Sequence, residues 1–195
     1  MPKIISDYER KRTQEALIEH TKQLIIEKKG IKNVTVDDIV RAVGIPKGSF
    51  YSYYKSKEEC FYNVIETALT DVYSQAKAIK QENISTREKA TKFLREVYLA
   101  DNRVGYYIGT TDIKSLFRKL PVEYAEMEQK FNGEGLVLDT MSFLEIGRAQ
   151  AETFLTLLQC MEFSYHCDTP LEVKIEVIDV LVGAIADYVE KNSTM

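Results

Sequence analysis

Helix starts are marked in this chain more plainly than any other feature. At five expected helix starts a Ser or Thr is followed three residues later by Glu or Asp: Ser6/Glu9, Thr35/Asp38, Ser56/Glu59, Ser85/Glu88 and Thr169/Glu172. In such a capping box the hydroxyl and the carboxylate each satisfy a backbone donor that the first helical turn leaves open. Pro170, following Thr169, suits the first helical position, where its missing N–H costs nothing. Glycine and proline are scarce, nine and four among 195 residues, which leaves little material for hairpins. The expected fold class is therefore all-α.

Apolar spacing fills in the helices. The first runs from about Asp7 to Lys29, with Ala16, Leu17, Leu24 and Ile25 on one stripe and Gly30 as its stop. A short helix spans Val36 to Val43, Gly44 turns the chain, Pro46 opens another short helix, and Ser56 starts a fourth that runs to about Ile79. Beyond residue 80, helices are expected near 86–100, 103–108, 111–119, 121–131, 136–166 and 170–191. The expected architecture is a three-helix head, residues 1–55, on a larger helical bundle, residues 56–195.

Charge is distributed unevenly. The first sixty residues hold twelve Lys or Arg against nine Asp or Glu, whereas the whole chain is net −4. A basic head on an acidic body suits a protein of which one end meets phosphates. No run approaches the roughly 18–20 apolar residues of a membrane span, so no membrane partner is expected. Met1 to Arg12 is polar rather than signal-like, and the three cysteines lack disulfide or zinc spacing, which points to the cytoplasm.

Residues 31–62 read IKNVTVDDIVRAVGIPKGSFYSYYKSKEECFY. This is a helix, a turn at Gly44, and a second short helix whose leading end offers Lys47, Gly48 and Ser49. The leading end of such a helix reaches base edges in the major groove. Lys47 can donate to guanine, Gly48 permits close backbone approach, and Ser49 can meet phosphate or base. Tyr51, Ser52 and Tyr53 follow with hydroxyls suited to phosphate oxygens. Thr35 and Lys57 sit at flanking helix starts, where free N–H groups attract phosphate.

The run Thr35-Val36-Asp37-Asp38-Ile39, then Gly44, then Lys47-Gly48-Ser49-Phe50-Tyr51, then Lys55-Ser56-Lys57-Glu58-Glu59, resembles the N-terminal domain of TetR-family repressors. The resemblance covers about residues 10–65. It departs at Val40 and Val43, where alanine is usual, at Pro46 in place of a capping serine, and at Cys60 in place of leucine. It implies a homodimer whose heads enter successive major grooves of a palindromic double-stranded DNA operator. It also implies a small-molecule effector in the helical body that releases the repressor. By the same resemblance Thr35, Tyr51 and Lys57 contact phosphate, Lys47 and Gly48 contact base or backbone, and Ser49, Ser52 and Tyr53 touch DNA. The alternative is a co-regulator or architectural DNA-binding protein of the same fold without such an operator.

The body says less. Its last two expected helices are apolar on more than one side, so either both sit deep in a bundle or one face pairs with a symmetry mate. Their place at the end of the chain favours the pair, with Leu158, Met161, Tyr165, Ile178, Val182 and Ile185 at the dimer interface. Tyr98, Tyr106, Tyr107, Phe117, Tyr124 and Phe154 are candidate walls for an apolar or amphipathic effector. Asp101 to Thr111, rich in Gly and Tyr, is the candidate mobile element of that pocket. His166, Cys167 and Asp168 are consecutive and diverge on a helix, so no metal or cofactor is expected. Two histidines and no nucleophile–base motif argue against an enzyme.

Overall fold

The computed structural model describes residues 6–100, 103–108, 110–124 and 134–193, without the side chains of 105, 106, 110, 134, 165 and 166. Nine α-helices are labelled among these residues: α1 (Asp7–Glu27), α2 (Val36–Val43), α3 (Lys47–Phe50), α4 (Lys57–Lys80), α5 (Thr86–Lys92), α6 (Thr110–Phe117), α7 (Glu134–Leu144), α8 (Arg148–His166) and α9 (Leu171–Asn192). They form two compact units. One unit runs to Thr70 and takes in Val104–Tyr124; the other takes in Asp71–Arg103 and the chain from Ala125 onward.

The capping pattern accounts for the starts of α1, α2 and α4. At α1 the Ser6 hydroxyl accepts from Glu9 N at 3.2 Å while Glu9 accepts from Ser6 N at 3.0 Å. At α2, Thr35 and Asp38 make the same reciprocal pair at 3.2 and 2.9 Å. Ser56 caps Glu59 N at 3.2 Å, but the Glu59 carboxylate turns back to Lys55 N at 2.7 Å. Helix α1 stops through Lys29 and Gly30, both at positive φ, after which Ile31–Asn33 makes one 3-10 turn.

Leu17, Ile25, Val34, Ile39 and Phe50 are fully buried in this unit. Removing a buried ring such as Phe50 would cost about 3–5 kcal/mol. Val104 and Ile108 are also buried, and the 3-10 turn Val104–Tyr107 packs on α1. Lys32 pairs with Asp112 at 2.7 Å and Lys119 with Glu58 at 3.4 Å. Within the segment Asp101 to Thr111, the turn Val104–Tyr107 and Ile108 are therefore packed into the helix-turn-helix unit.

The second unit is a bundle in which α5 and α8 pack on α9, and α7 packs on α8. Its core includes Leu94, Ala151, Phe154, Met161, Ile185 and Val189. Arg87 and Arg95 of the α5 segment reach Asp187 and Asp179 of α9 at 2.5 and 2.9 Å. Ser85 and Glu88 cap α5 reciprocally, and the helix then widens into a π-helical stretch, Phe93–Tyr98. Two expectations fail here. The helix expected over 136–166 breaks at Glu145, which takes φ 56°, so that Ile146 can bury its side chain and bridge to Ser193. Gly147 then caps α8 through its backbone. Thr169 caps nothing, because Pro170 itself takes the N-cap position of α9, one residue before the helix. Of the helix expected over 121–131, residues 122–124 form a 3-10 turn and the remainder lies outside the described residues.

Candidate nucleic-acid interface

Helices α2 and α3 present the residues singled out from the sequence. Gly44 closes α2 in the left-handed region, φ 76°, with its N–H on the Val40 carbonyl at 2.9 Å. That conformation costs an L side chain about 1–2 kcal/mol, which is why glycine stands there. Pro46 then sets the backbone before α3, with no side-chain cap, and Phe50 anchors α3 in the core. What stays outside is the leading end of α3: Lys47 and Gly48 are exposed and Ser49 is half-buried. A Cβ built on Gly48 meets nothing within 4 Å, so no protein neighbour requires glycine at this position.

The flanking residues differ in how free they are. Tyr51 is 52% exposed, its ring edge-on to Phe50 at 5.4 Å. Ser52 is exposed, but its hydroxyl donates to the Ser49 carbonyl at 2.6 Å. Tyr53 is half-buried beneath Arg10, whose guanidinium lies 5.8 Å from the ring centre. Thr35 is exposed and occupied by its cap. Lys57 is turned inward: its ammonium donates to the Val34 carbonyl at 3.1 Å and sits 5.6 Å from the Phe61 ring centre.

Two charge pairs lie on this face, and neither is evident from the sequence. Lys28 meets Asp38 at 2.6 Å, and that hydrogen bond, with those from Thr35, holds the Asp38 carboxyl well below the usual carboxylate range. Lys47 meets Asp37 at 2.9 Å across the turn, and the carboxylate pushes the lysine pKa up. Both members of that second pair are more than half exposed, so it adds little to stability.

Residues 17–64 match the family model described as bacterial regulatory proteins, tetR family. Over this stretch the chain is similar to the TetR family. Among curated proteins, the uncharacterized HTH-type transcriptional regulator YfiR of Bacillus subtilis (strain 168) is 33% identical over 70 residues. The match takes in 36% of this chain and 33% of that protein, so the chain spans about a third of the relative's length. A crystal structure of a transcriptional regulator (TerR/AcrR family) from Aquifex aeolicus VF5 superposes with a TM-score of 0.60. It covers 90% of this chain and 96% of that one at 22% identity, so the likeness is one of fold. The matched stretch lies wholly within the first unit and contains all eight residues proposed to contact DNA.

The residues proposed for the body fare differently. Tyr98 and Phe154 are buried core members of the second unit, and the Tyr98 hydroxyl donates to the Leu158 carbonyl at 3.2 Å. Phe117 and Tyr124 belong to the first unit, edge-on to Tyr62 at 6.3 and 4.6 Å. Tyr107 is half-buried on the same unit, and the Tyr106 side chain lies outside the described residues. The described candidates are thus divided between the two units. Leu158, Met161, Val182 and Ile185 are 6, 0, 1 and 1% exposed within the single chain, so they fill its own core instead of facing a partner. Ile178 is half-buried, and the Tyr165 side chain lies outside the described residues. The exposed apolar stripe of α9 is Val173, Val177, Val180 and Ala184, at helical spacing.

Proposed function

We propose that this protein is a transcriptional repressor of the TetR type, which grips a palindromic operator as a homodimer and lets go when a small apolar or amphipathic effector binds. The observation that carries the reading is the leading end of α3. Lys47, Gly48 and Tyr51 stand exposed on a helix pinned by the fully buried Phe50, within a stretch similar to the TetR family. A rigid scaffold with an exposed polar edge is what direct readout of a major groove requires. Thr35 and the start of α4 supply flanking N–H groups for phosphate, and Tyr51 and Tyr53 supply hydroxyls.

For the homodimer, the exposed apolar stripe of α9 offers a surface that a second copy can cover, since an isologous contact needs one self-complementary face. Two heads held this way would meet half-sites about one helical turn apart, roughly 34–36 Å. The effector is assigned to the second unit by family resemblance, and its chemistry follows from the apolar lining that such bundles offer.

A mobility-shift assay on the DNA upstream of the protein's own coding sequence tests this. The expected result is a retarded complex with a two-fold symmetric footprint, weakened by Lys47→Ala. Binding scattered over many unrelated duplexes, with no preferred palindrome, would instead favour an architectural DNA-binding protein of the same fold.

A further inference from the structure

The acids of α2 do different work. Asp38 is spent on the Thr35 cap and on Lys28. Asp37 leaves that cap alone: its side chain is 63% exposed and its Oδ1 lies 2.9 Å from Lys47 Nζ, ten residues on and across the Gly44 turn. An exposed ion pair does little for folding, and a carboxylate on a surface meant for phosphates repels them. Its place beside the leading lysine of α3 needs a chemical reason.

The major-groove edge of a guanine·cytosine pair supplies one. Guanine shows two neighbouring acceptors, N7 and O6, and cytosine next to them shows an amino donor, N4. An ammonium that gives one N–H to a carboxylate keeps two for N7 and O6, and the carboxylate keeps lone pairs for the N4 hydrogen. In an adenine·thymine pair the donor stands between two acceptors, and the thymine methyl stands on the pyrimidine side, where the carboxylate would lie. The carboxylate would there lose water without gaining a hydrogen bond.

We infer that Asp37 and Lys47 act as one composite reader of a guanine·cytosine pair, Lys47 on the purine and Asp37 on the pyrimidine, which makes Asp37 a specificity-determining residue. The inference rests on the reading of α3 as a DNA-contacting helix. It gives the opposed charges a joint role, because the same 2.9 Å that pairs them sets their spacing along the base edge.

Selection from a randomised duplex library, with the full chain as wild type, Asp37→Ala, Asp37→Asn, Lys47→Ala and the double alanine variant, decides it. The wild type should fix one guanine·cytosine pair in each half-site. Asp37→Ala and Lys47→Ala should each reduce preference at that same pair by roughly tenfold, and the double variant no further. Asp37→Asn, which keeps an acceptor oxygen, should retain more of the preference than Asp37→Ala. All variants leave the Thr35–Asp38 cap in place, and melting followed by circular dichroism checks that they fold. The inference is overturned if the two alanine variants relax different positions, or if the pair they relax is adenine·thymine. It is equally overturned if Asp37→Ala tightens binding to all sequences without changing the preferred one. A wild type that enriches no sequence would overturn the DNA reading itself.

Discussion

Replacing Gly48 by Ala separates what the recognition helix needs for folding from what it needs for contact. Gly48 lies within α3 with ordinary helical geometry, and an added methyl group meets nothing within 4 Å. Glycine at such a site costs about 0.5–1 kcal/mol relative to alanine, so the substitution should stabilise the chain. Because α3 has only four residues, the lower end, about 0.5 kcal/mol, is expected, which for a chain of this size raises Tm by roughly 1–2 °C. On DNA the methyl group falls between the backbone and the groove. Holding the neighbouring side chains off their partners should forfeit a contact of about 1–3 kcal/mol, which is roughly thirtyfold in affinity at its midpoint. Paired melts and mobility shifts on one preparation test both halves. A Gly48→Ala protein that melts higher and binds DNA as tightly as wild type would refute the claim that this backbone approaches the groove closely. One that melts lower would refute the local accounting.

Lys57→Ala removes the hydrogen bond to the Val34 carbonyl and the cover over Phe61, so it should lower stability by about 1–2 kcal/mol. A melt checks this, and an unchanged Tm with weakened DNA binding would make Lys57 a phosphate anchor only. Asp38, with its pKa depressed by Lys28 and Thr35, contributes stability that is complete above about pH 4, the ordinary value for an unfolded aspartate, and is lost as pH falls toward its lower folded value. Acid titration followed by circular dichroism should therefore show Asp38→Asn as less stable than wild type at neutral pH, with the gap closing at low pH. Burial pushes the Cys60 thiol up to about 11, so iodoacetamide at pH 8 should label it only after denaturant is added. Labelling in the native state, read by peptide mass, would contradict that burial.

What the sequence revealed follows the range of the interactions involved. The Ser6, Thr35 and Ser85 boxes are i to i+3 events, and all three form as read. Gly44 and Phe50 were legible for the same reason, since a turn and a short amphipathic helix are local. The break at Glu145 was not, because a left-handed glutamate is set by where Ile146 must go. Periodicity showed two apolar stripes on α9 but not which one faces the chain's own core. Tertiary packing chose Val182 and Ile185 and left Val173, Val177 and Val180 outside. The attachment of Val104–Tyr124 to the helix-turn-helix unit was not legible either, because it is made by residues far apart in sequence: Val104 and Ile108 are buried there, and Lys32–Asp112 and Lys119–Glu58 pair alongside. In the DNA-facing segment the residue types were readable one by one. The Asp37–Lys47 pair was not, because it forms only once the turn has folded.

Amide hydrogen exchange of the full chain, with and without a duplex selected from the upstream region, tests the DNA-binding claim most directly. Added protection should appear over residues 35–57, strongest from Lys47 to Tyr51 and at the start of α4. Unchanged exchange across that segment, or protection confined to the second unit, would contradict it.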